Sequence, residues 1–278
     1  MSVSEPSSFL LIGFRGSGKT TFLAAVWHLL EAQEIPSALF APTLQPDREH
    51  LNSIRRHWLL LEPTTRTTLR DMQTVSVKVE DRESGTGASI VIPDFSGEVF
   101  LMQWEEREVL QDYVKLAQLS SGSVLFVHPY QLKPGPRIPP RSAAVNNKEG
   151  ERDSVPWKPE FAPTQVQIVD ILQTYLRLAE NRPTRLAVVI SAWDLIIDEK
   201  ITPDSWFTVR LPLLAQFLAA REGTLEVKYF GVSAQGGELP GDKAKLEKAR
   251  NPSERIYVFE DGKRHSDLTT VLRWLMTD

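Results

Sequence analysis

The chain has 278 residues, 41% hydrophobic and 24% charged, which is enough for one large α/β domain or for one domain with sizeable insertions. Its formal net charge of −4 gives no general basic field, so the composition does not predict binding to nucleic acid or to an anionic membrane. The absence of cysteine excludes disulfides, cysteine-ligated zinc and thiol catalysis, and the short polar start without a long apolar run predicts a cytoplasmic protein with no membrane span.

The first half of the chain has the periodicity of strands that alternate with helices. We predict, in chain order, a strand at 9–12, a helix over 19–31, a helix over 48–61, strands at 74–80 and 88–92, a helix over 103–119 and a strand at 124–127. The turn residues at 84–87 join two of these strands, so the segment 74–94 is expected to form an antiparallel hairpin.

Residues 131–164 have a different composition, rich in proline and poor in aliphatic residues, which is typical of an insertion that buries little surface. Beyond it we predict a helix over 165–180, a strand at 185–190, a helix over 205–220, strands at 225–232 and 255–259, and a closing helix over 266–276. We therefore expect one domain over 1–278, with the insertion at 131–164 and a C-terminal extension at 237–278.

A glycine-rich turn between the first strand and the first helix has the most specific motif in the chain. Residues 13–20, GFRGSGKT, fit the pattern G-x-x-x-x-G-K-[ST], and the strand before it and the helix after it give the required context. Lys19 is expected to neutralise the β- and γ-phosphates of a nucleotide, and the Thr20 hydroxyl to ligate Mg²⁺. The predicted phosphate site comprises Gly13, Arg15, Gly16, Ser17, Gly18, Lys19, Thr20 and Thr21.

A second motif follows the strand at 88–92. This apolar run leads into Asp94, whose carboxylate is expected to hold Mg²⁺, usually through a water molecule. The spacing Asp94-x-x-Gly97 places a backbone N–H at Gly97, which is expected to contact the γ-phosphate and to release a switch loop after hydrolysis. The alternative is a turn at the end of a strand with no role in binding.

With these two motifs in order, the chain resembles the Ras-like GTPase superfamily, whose next element is [NT]-K-x-D at the end of a strand. Here the apolar run 186–190 leads into Ser191-Ala192-Trp193-Asp194. The resemblance implies that the Asp194 carboxylate accepts hydrogen bonds from N1 and N2 of guanine, a charge-assisted contact that rejects adenine. The chain departs from the family at Ser191 and Ala192, and Trp193 is a candidate for the missing apolar cover of the base.

The final element of the family is S-A-[KLT] after the last core strand, and Ser233-Ala234-Gln235 matches it. The resemblance implies that the backbone of Ser233 and Ala234 contacts the guanine oxygen. Within the superfamily the chain is similar to bacterial double-GTPase families encoded in multi-gene conflict or signalling systems, on residues 15–27, Ser-x-Trp-Asp and the run 254–258. This implies a protein partner or effector, for which a co-encoded GTPase is one candidate.

The family also requires a switch threonine that reaches Mg²⁺. Four residues qualify by position: Thr64, Thr65, Thr67 and Thr68. Thr67 is taken as the metal ligand, and Arg66 is a candidate for stabilising transition-state charge, with a solvated loop arginine as the alternative. Glu98 stands where the family places its water-orienting glutamine, so Lys19, Glu98 and Arg66 form the predicted catalytic set. Since the charge of Glu98 would repel the γ-phosphate, slow intrinsic turnover is expected.

These features predict an α/β protein with the three-layer P-loop NTPase fold, a mostly parallel sheet and one antiparallel hairpin. The predicted function is Mg²⁺-dependent binding and hydrolysis of GTP as a conformational switch, with GTP or GDP as the bound nucleotide. Two alternatives stay open: a P-loop ATPase, and a nucleotide-dependent interaction module with little hydrolysis.

Overall fold

The computed structural model describes residues 8–41, 48–62, 74–93, 97–135, 156–180, 184–196 and 200–276. The strands in these segments are β1 (Ser8–Ile12), β2 (Leu39–Phe40), β3 (Thr74–Asp81), β4 (Gly87–Pro93), β5 (Ser120–Val127), β6 (Thr184–Ser191), β7 (Leu225–Ser233), β8 (Tyr257–Glu260) and β9 (Lys263–His265). They form one sheet in the order β2-β3-β4-β1-β5-β6-β7-β8-β9.

The centre of the sheet is parallel and its two edges are antiparallel. The strands β4, β1, β5, β6 and β7 run parallel to one another. The predicted hairpin is present as β3–β4 and pairs Thr74 with Pro93 at its open end. The structure adds a second hairpin, β8–β9, at the opposite edge. This hairpin was not predicted because β9 is a three-residue, largely charged segment without apolar alternation.

The described helices cover both faces of the sheet. They are α1 (Lys19–Ala32), α2 (Arg48–Leu59), α3 (Gly97–Glu106), α4 (Gln111–Leu119), α5 (Thr164–Leu178), α6 (Pro203–Arg210), α7 (Pro212–Ala219), α8 (Lys243–Leu246) and α9 (Thr269–Met276). Phe9 and Leu11 of β1 face the core beneath α1, α2 and α9, whereas Leu10 and Ile12 face the core beneath α3 to α7. Because β1 is covered on both faces, its residues are all buried. The predicted three-layer α/β fold class is confirmed.

Two predicted helices were wrong in extent because each is broken into two. The segment predicted as one helix over 103–119 contains the end of α3 and all of α4, separated at 107–110, where Arg107 adopts a left-handed φ of 62°. The segment 205–220 contains α6 and α7, which meet at Pro212. Proline removes a backbone donor and suits the first position of a new helix, so it ends α6 and begins α7.

Residues beyond 237 contribute to the sheet and to the core. Strands β8 and β9 extend the sheet beyond β7, and α9 buries Val271, Leu272 and Leu275 in the core that contains α1. Arg273 of α9 forms an ion pair with Asp81 at the end of β3. The part of the predicted C-terminal extension that the structure describes is therefore packed against the P-loop fold.

The predicted insertion at 131–164 is described only at its two ends, since 136–155 lies outside the described residues. These ends are bonded to each other, because the Lys133 N–H donates to the Thr164 hydroxyl at 2.8 Å and the Thr164 N–H donates to the Lys133 carbonyl at 3.1 Å. None of the described helices is long and apolar enough to cross a bilayer.

Candidate functional site

The loop between β1 and α1 holds its lysine in place with its own backbone. Lys19 begins α1 and is only 6% exposed. Its Nζ donates to the Gly13 carbonyl at 2.6 Å and to the Phe14 carbonyl at 3.2 Å. The ammonium therefore lies across the loop that the motif assigns to the phosphates, where it supplies a fixed positive charge.

Two glycines of this loop are required by close contacts with neighbouring strands. A Cβ at Gly13 would lie 2.6 Å from the Ser17 hydroxyl and 2.9 Å from the Phe126 carbonyl oxygen. Gly18 has a left-handed φ of 97°, and a Cβ there would lie 3.0 Å from Cβ of Ser191. The loop is thus closely packed against the ends of β5 and β6.

The hydroxyl of Ser17 is an unsatisfied polar group inside the loop. Ser17 is 4% exposed, and its Oγ has no hydrogen-bond partner among the residues that the structure describes. Buried polar groups without partners are uncommon and are found at sites that bind a ligand or an ordered water. A glycine cradle with a buried lysine and an orphaned hydroxyl fits an anionic ligand.

The start of α3 lies directly against the loop. A Cβ at Gly97 would be 2.1 Å from the Arg15 backbone nitrogen and 2.5 Å from the Phe14 carbonyl carbon, so only glycine fits this contact. The next residue, Glu98, has its Oε1 3.9 Å from Nη1 of Arg15. Both side chains are substantially exposed, 40% for Glu98 and 51% for Arg15, so the pair contributes little to stability. Its position beside the phosphate loop is the notable feature.

The end of β6 carries the residues that the sequence assigned to the base. Ser191 packs against Gly18, and Ala192 adopts a left-handed φ of 47°, which is uncommon for alanine. Asp194 follows in a short 3₁₀ turn, Trp193–Leu195. Burial lowers the pKa of His128 at the end of β5, and the negative charge of Asp194 acts in the opposite direction. Asp194 is therefore close enough to His128 to interact with it electrostatically.

Trp193 packs in the core, which favours a buried tryptophan in a polar turn over an apolar cover for a base. Its side chain is 7% exposed and its ring lies over Gly231 of β7, where a Cβ would be 2.4 Å from the indole. It also stacks on Phe259 with a centroid distance of 6.3 Å and meets Trp206 edge-on at 6.5 Å. The indole is a core anchor that fixes the turn from which Asp194 projects.

The segment after β7 is held from several sides. Ser233 is fully buried, and its hydroxyl accepts a hydrogen bond from the Gly236 N–H at 3.1 Å. The Ala234 carbonyl accepts a hydrogen bond at 2.7 Å from the indole Nε1 of Trp58, the residue before the last of α2. Sequence reasoning missed Trp58, because no local pattern reports a contact between residues 176 positions apart.

A loop after β5 was also missed, and it contacts both ends of the site. A Cβ at Gly16 would lie 2.7 Å from the Gln131 side-chain amide, so this amide sits over the phosphate loop. The Tyr130 hydroxyl donates to the Leu195 carbonyl at 3.0 Å, beside Asp194. The residues 128–131 had no motif that would mark them.

The structure places most predicted residues at one edge of the sheet but leaves some outside its description. Thr20 and Thr21 lie in the first turn of α1, both partly buried. Arg66, Thr67 and Asp94 lie outside the described residues. In the described part of the chain, no group of three or more histidine, aspartate or glutamate side chains could hold a metal ion. The hydroxyl of Thr20 is an oxygen donor of the kind that Mg²⁺ prefers.

A groove of about 1100 Å³ lies elsewhere, at the amino ends of β6 and β7. It is lined by Thr184, Leu225, Ala219 and Leu275, among others, and by none of the motif residues. In open α/β sheets ligands bind outside the carboxyl ends of the strands, so this groove lies at the end of the sheet opposite to the one that the fold favours for a ligand.

Comparison with known proteins identifies a family whose model matches nearly the whole chain. A model of the family described as Double-GTPase 1 matches residues 10–275 of the chain. No curated protein sequence matches it.

Three solved structures are among those to which the chain is similar. The chain is similar to Roco2 RocCORdC of Methanosarcina barkeri bound to GDP, with 11% identity and a TM-score of 0.36 over 87% of this chain and 48% of that one. It is similar to the signal recognition particle receptor SRb-GTP/SRX complex of Chaetomium thermophilum, with 17% identity and a TM-score of 0.45 over 87% and 96% of the two chains. It is similar to Sup35 complexed with GDP, with 15% identity and a TM-score of 0.37 over 84% of this chain and 38% of that one. The chain thus spans about half of the Roco chain and less than half of Sup35.

Proposed function

The chain belongs to the Double-GTPase 1 family, and from this premise we propose that it is a Mg²⁺-dependent switch whose GTP site lies at the carboxyl edge of its parallel strands. Family membership makes it a P-loop GTPase that binds and hydrolyses GTP. It favours this function over the alternative of a P-loop ATPase.

One observation carries the location of the site. Two motifs that are far from the phosphate loop in sequence are in contact with it: Gly97 meets the Arg15 backbone, and Ser191 meets Gly18. The predicted phosphate loop, the start of α3 and the end of β6 that is proposed to bind guanine are therefore neighbours, which supports a nucleotide that spans them.

The phosphate end of this site is assigned to the loop and to its flanking oxygens. The backbone N–H groups of 13–18 and the ammonium of Lys19 bind the phosphates, with Thr20 and Thr21 at the start of α1, where the helix dipole favours an anion. Thr20, Asp94 and Thr67 are the proposed metal ligands. Bound Mg²⁺ would neutralise charge on the β- and γ-phosphates during transfer to water.

Hydrolysis is assigned to Glu98 with the help of positive charge. The proposed role of Glu98 is to orient the attacking water beside the γ-phosphate, where its own charge is unfavourable. Arg15, 3.9 Å away, offsets that charge and is placed to stabilise charge that develops in the transition state. Arg66 stays a second candidate for this role.

Guanine selection is assigned to Asp194, with the backbone of Ser233 and Ala234 at the base oxygen. A carboxylate that accepts two hydrogen bonds from guanine finds no matching donor pair on adenine.

We also propose a cytoplasmic location and a protein partner, for which a co-encoded GTPase is the first candidate. The assignment of this chain to a double-GTPase family supports the choice of partner.

A titration of GDP and then ADP into the Mg²⁺-containing protein tests the guanine site. The wild type should bind GDP and reject ADP, whereas Asp194→Asn should lose about 10-fold or more in GDP affinity with little change for ADP. Asp112→Asn, an exposed change on α4, is the matched control and should bind as the wild type does. Equal affinity of the wild type for GDP and ADP would sink the assignment of Asp194.

A further inference from the structure

Trp58 connects α2 to the backbone that is proposed to contact the guanine oxygen. The indole is 1% exposed, and its Nε1 donates to the Ala234 carbonyl at 2.7 Å. Through this bond, a side chain of α2 contacts the 233–236 turn, although the two segments are far apart in sequence. A buried indole N–H requires an acceptor, so the bond also fixes the orientation of the ring.

The same turn is held from its other side by Arg255. The guanidinium Nη2 donates to the Trp58 carbonyl at 2.8 Å, and Cζ lies 4.3 Å from the centroid of the indole. Gly236, with a left-handed φ of 91°, packs so closely that a Cβ would lie 2.3 Å from the Arg255 carbonyl oxygen. Burial lowers the pKa of Arg255 to about 10, so the guanidinium keeps its charge at neutral pH.

Trp58 also contacts α1. The imidazole of His28, on α1, lies 5.0 Å from the indole between ring centroids. His28 is bonded to Glu34, which accepts two further hydrogen bonds from Ser253, two residues before Arg255. The indole therefore contacts both His28 and Arg255, and each of these is held by further hydrogen bonds.

From these contacts we propose that Trp58 is a positioning residue for guanine recognition, which orients the Ser233–Ala234 backbone through its bond to the Ala234 carbonyl. It touches neither the phosphates nor the reacting atoms. This inference rests on the proposed guanine site, and it adds that α2 and the 233–236 turn respond together when guanine binds, because the two are joined by a hydrogen bond and by shared packing on Arg255.

Loss of the bond between Trp58 and Ala234 should weaken the binding of GDP but not the binding of ADP. Without the indole donor, the carbonyl of Ala234 loses one of the contacts that fix the orientation of this turn, so the contact with the guanine oxygen weakens while the phosphate loop is unchanged. Trp58→Phe should therefore reduce GDP affinity by about 3- to 10-fold, the range expected for one hydrogen bond, and leave the weak binding of ADP as it is.

A matched variant separates positioning from helix docking. Trp27 donates its own indole N–H to Oδ1 of Asn52 at 3.0 Å and so ties α1 to α2. Trp27→Phe removes an equivalent bond and should keep the ratio of GDP to ADP affinity of the wild type. Equal losses for the two variants, or a Trp58→Phe loss shared by GDP and ADP, would overturn the proposal.

A measurement on the wild type avoids any folding defect of the variants. Hydrogen exchange should show that GDP slows exchange both in 233–236 and in 54–62, which comprises the end of α2 and the residues that follow it. Protection of 233–236 alone would overturn the coupling. If GDP does not bind the wild type at all, the proposed guanine site itself is wrong. If GDP binds the wild type and Trp58→Phe with the same affinity, only the positioning role of Trp58 is wrong.

Discussion

At the scale of single residues, the candidate site depends on small side chains where backbones meet and on charges held in place by their neighbours. Gly97 and Gly18 leave no room for a Cβ beside the phosphate loop. Lys19 is fixed by two carbonyl groups of its own loop. The chemistry expected of Glu98 depends on Arg15, a neighbour that the motif itself does not specify.

Single-turnover hydrolysis of GTP should test the pair formed by Arg15 and Glu98. Glu98→Ala should slow phosphate release by about 100-fold, because it removes the group proposed to orient water. Arg15→Ala should slow it by a similar factor of about 100, through lost stabilisation of transition-state charge. Arg107→Ala, which removes an exposed arginine paired with Asp170 at 2.8 Å, is the control. A rate for Arg15→Ala equal to that of the control would exclude the role of Arg15.

The stability of the protein should depend on pH through His28. Burial lowers the pKa of His28, and its Nδ1 accepts a hydrogen bond from Nε of Arg55 at 3.1 Å, so the imidazole is neutral in the fold. The unfolded chain takes up this proton near pH 6.5, and the folded chain does so only at lower pH. Between these two values the free energy of unfolding should fall as pH falls, by up to about 1.4 kcal/mol per pH unit for one proton.

Urea unfolding at pH 7.5, 6.5 and 5.5 measures this dependence. His28→Gln should reduce the slope, since glutamine does not titrate in this range, and leave the part that His128 contributes, because burial lowers the pKa of His128 too. His57→Gln, a change at a partly exposed histidine on α2, should retain the slope of the wild type. Parallel pH profiles for the wild type and His28→Gln would contradict the prediction.

At the scale of elements, local patterns located helices and strands well but did not show where they break. The apolar spacing of 103–119 continues across 107–110, yet Arg107 turns into a left-handed conformation and two helices result. Proline at 212 marked the other break, and it was visible in the sequence. Strand β2 has two residues and β9 three, too few to show alternation.

The ion pair between α9 and β3 should contribute to stability. Asp81 is 5% exposed, accepts backbone hydrogen bonds from Glu83 and Ser84, and pairs with Arg273. These hydrogen bonds outweigh the effect of burial and lower the pKa of Asp81. Asp81→Asn should reduce the free energy of unfolding by about 1.5–3 kcal/mol, as expected for a hydrogen bond to a charged group.

Chemical denaturation at pH 7 would measure this loss. Asp170→Asn is the matched control, because it breaks an aspartate–arginine pair in which the Arg107 side chain is 61% exposed. Its effect should be below about 1 kcal/mol. If the two variants lose the same amount, burial does not decide the strength of the Asp81 pair.

At the scale of the whole molecule, the C-terminal residues complete the core. Helix α9 and the residue before it bury Leu268, Val271, Leu272 and Leu275, each at most 4% exposed, against the face that α1 also covers. Each such side chain contributes about 1.5–3 kcal/mol on burial, and natural domains are stable by only about 5–15 kcal/mol.

A chain that ends at Asp267 should therefore not fold. We expect the loss of the cooperative thermal transition, followed by circular dichroism, and the loss of GDP binding in the same preparation. A cooperative transition with normal GDP affinity in the truncated chain would show that α9 is dispensable.

The sequence alone determined the fold class and the phosphate loop, because both depend on local signals: apolar runs with a fixed period, and glycines at fixed spacing around Lys19 and Thr20. The same local signals predicted Asp194 and Ser233–Ala234 as site residues at strand ends. They did not determine the role of Trp193, which only packing on Gly231 and Phe259 made a core residue. Nor did they indicate Trp58, whose bond to Ala234 exists because the tertiary structure brings α2 to the end of β7. Contacts between distant segments depend on how the layers pack, and no period within one segment reports them.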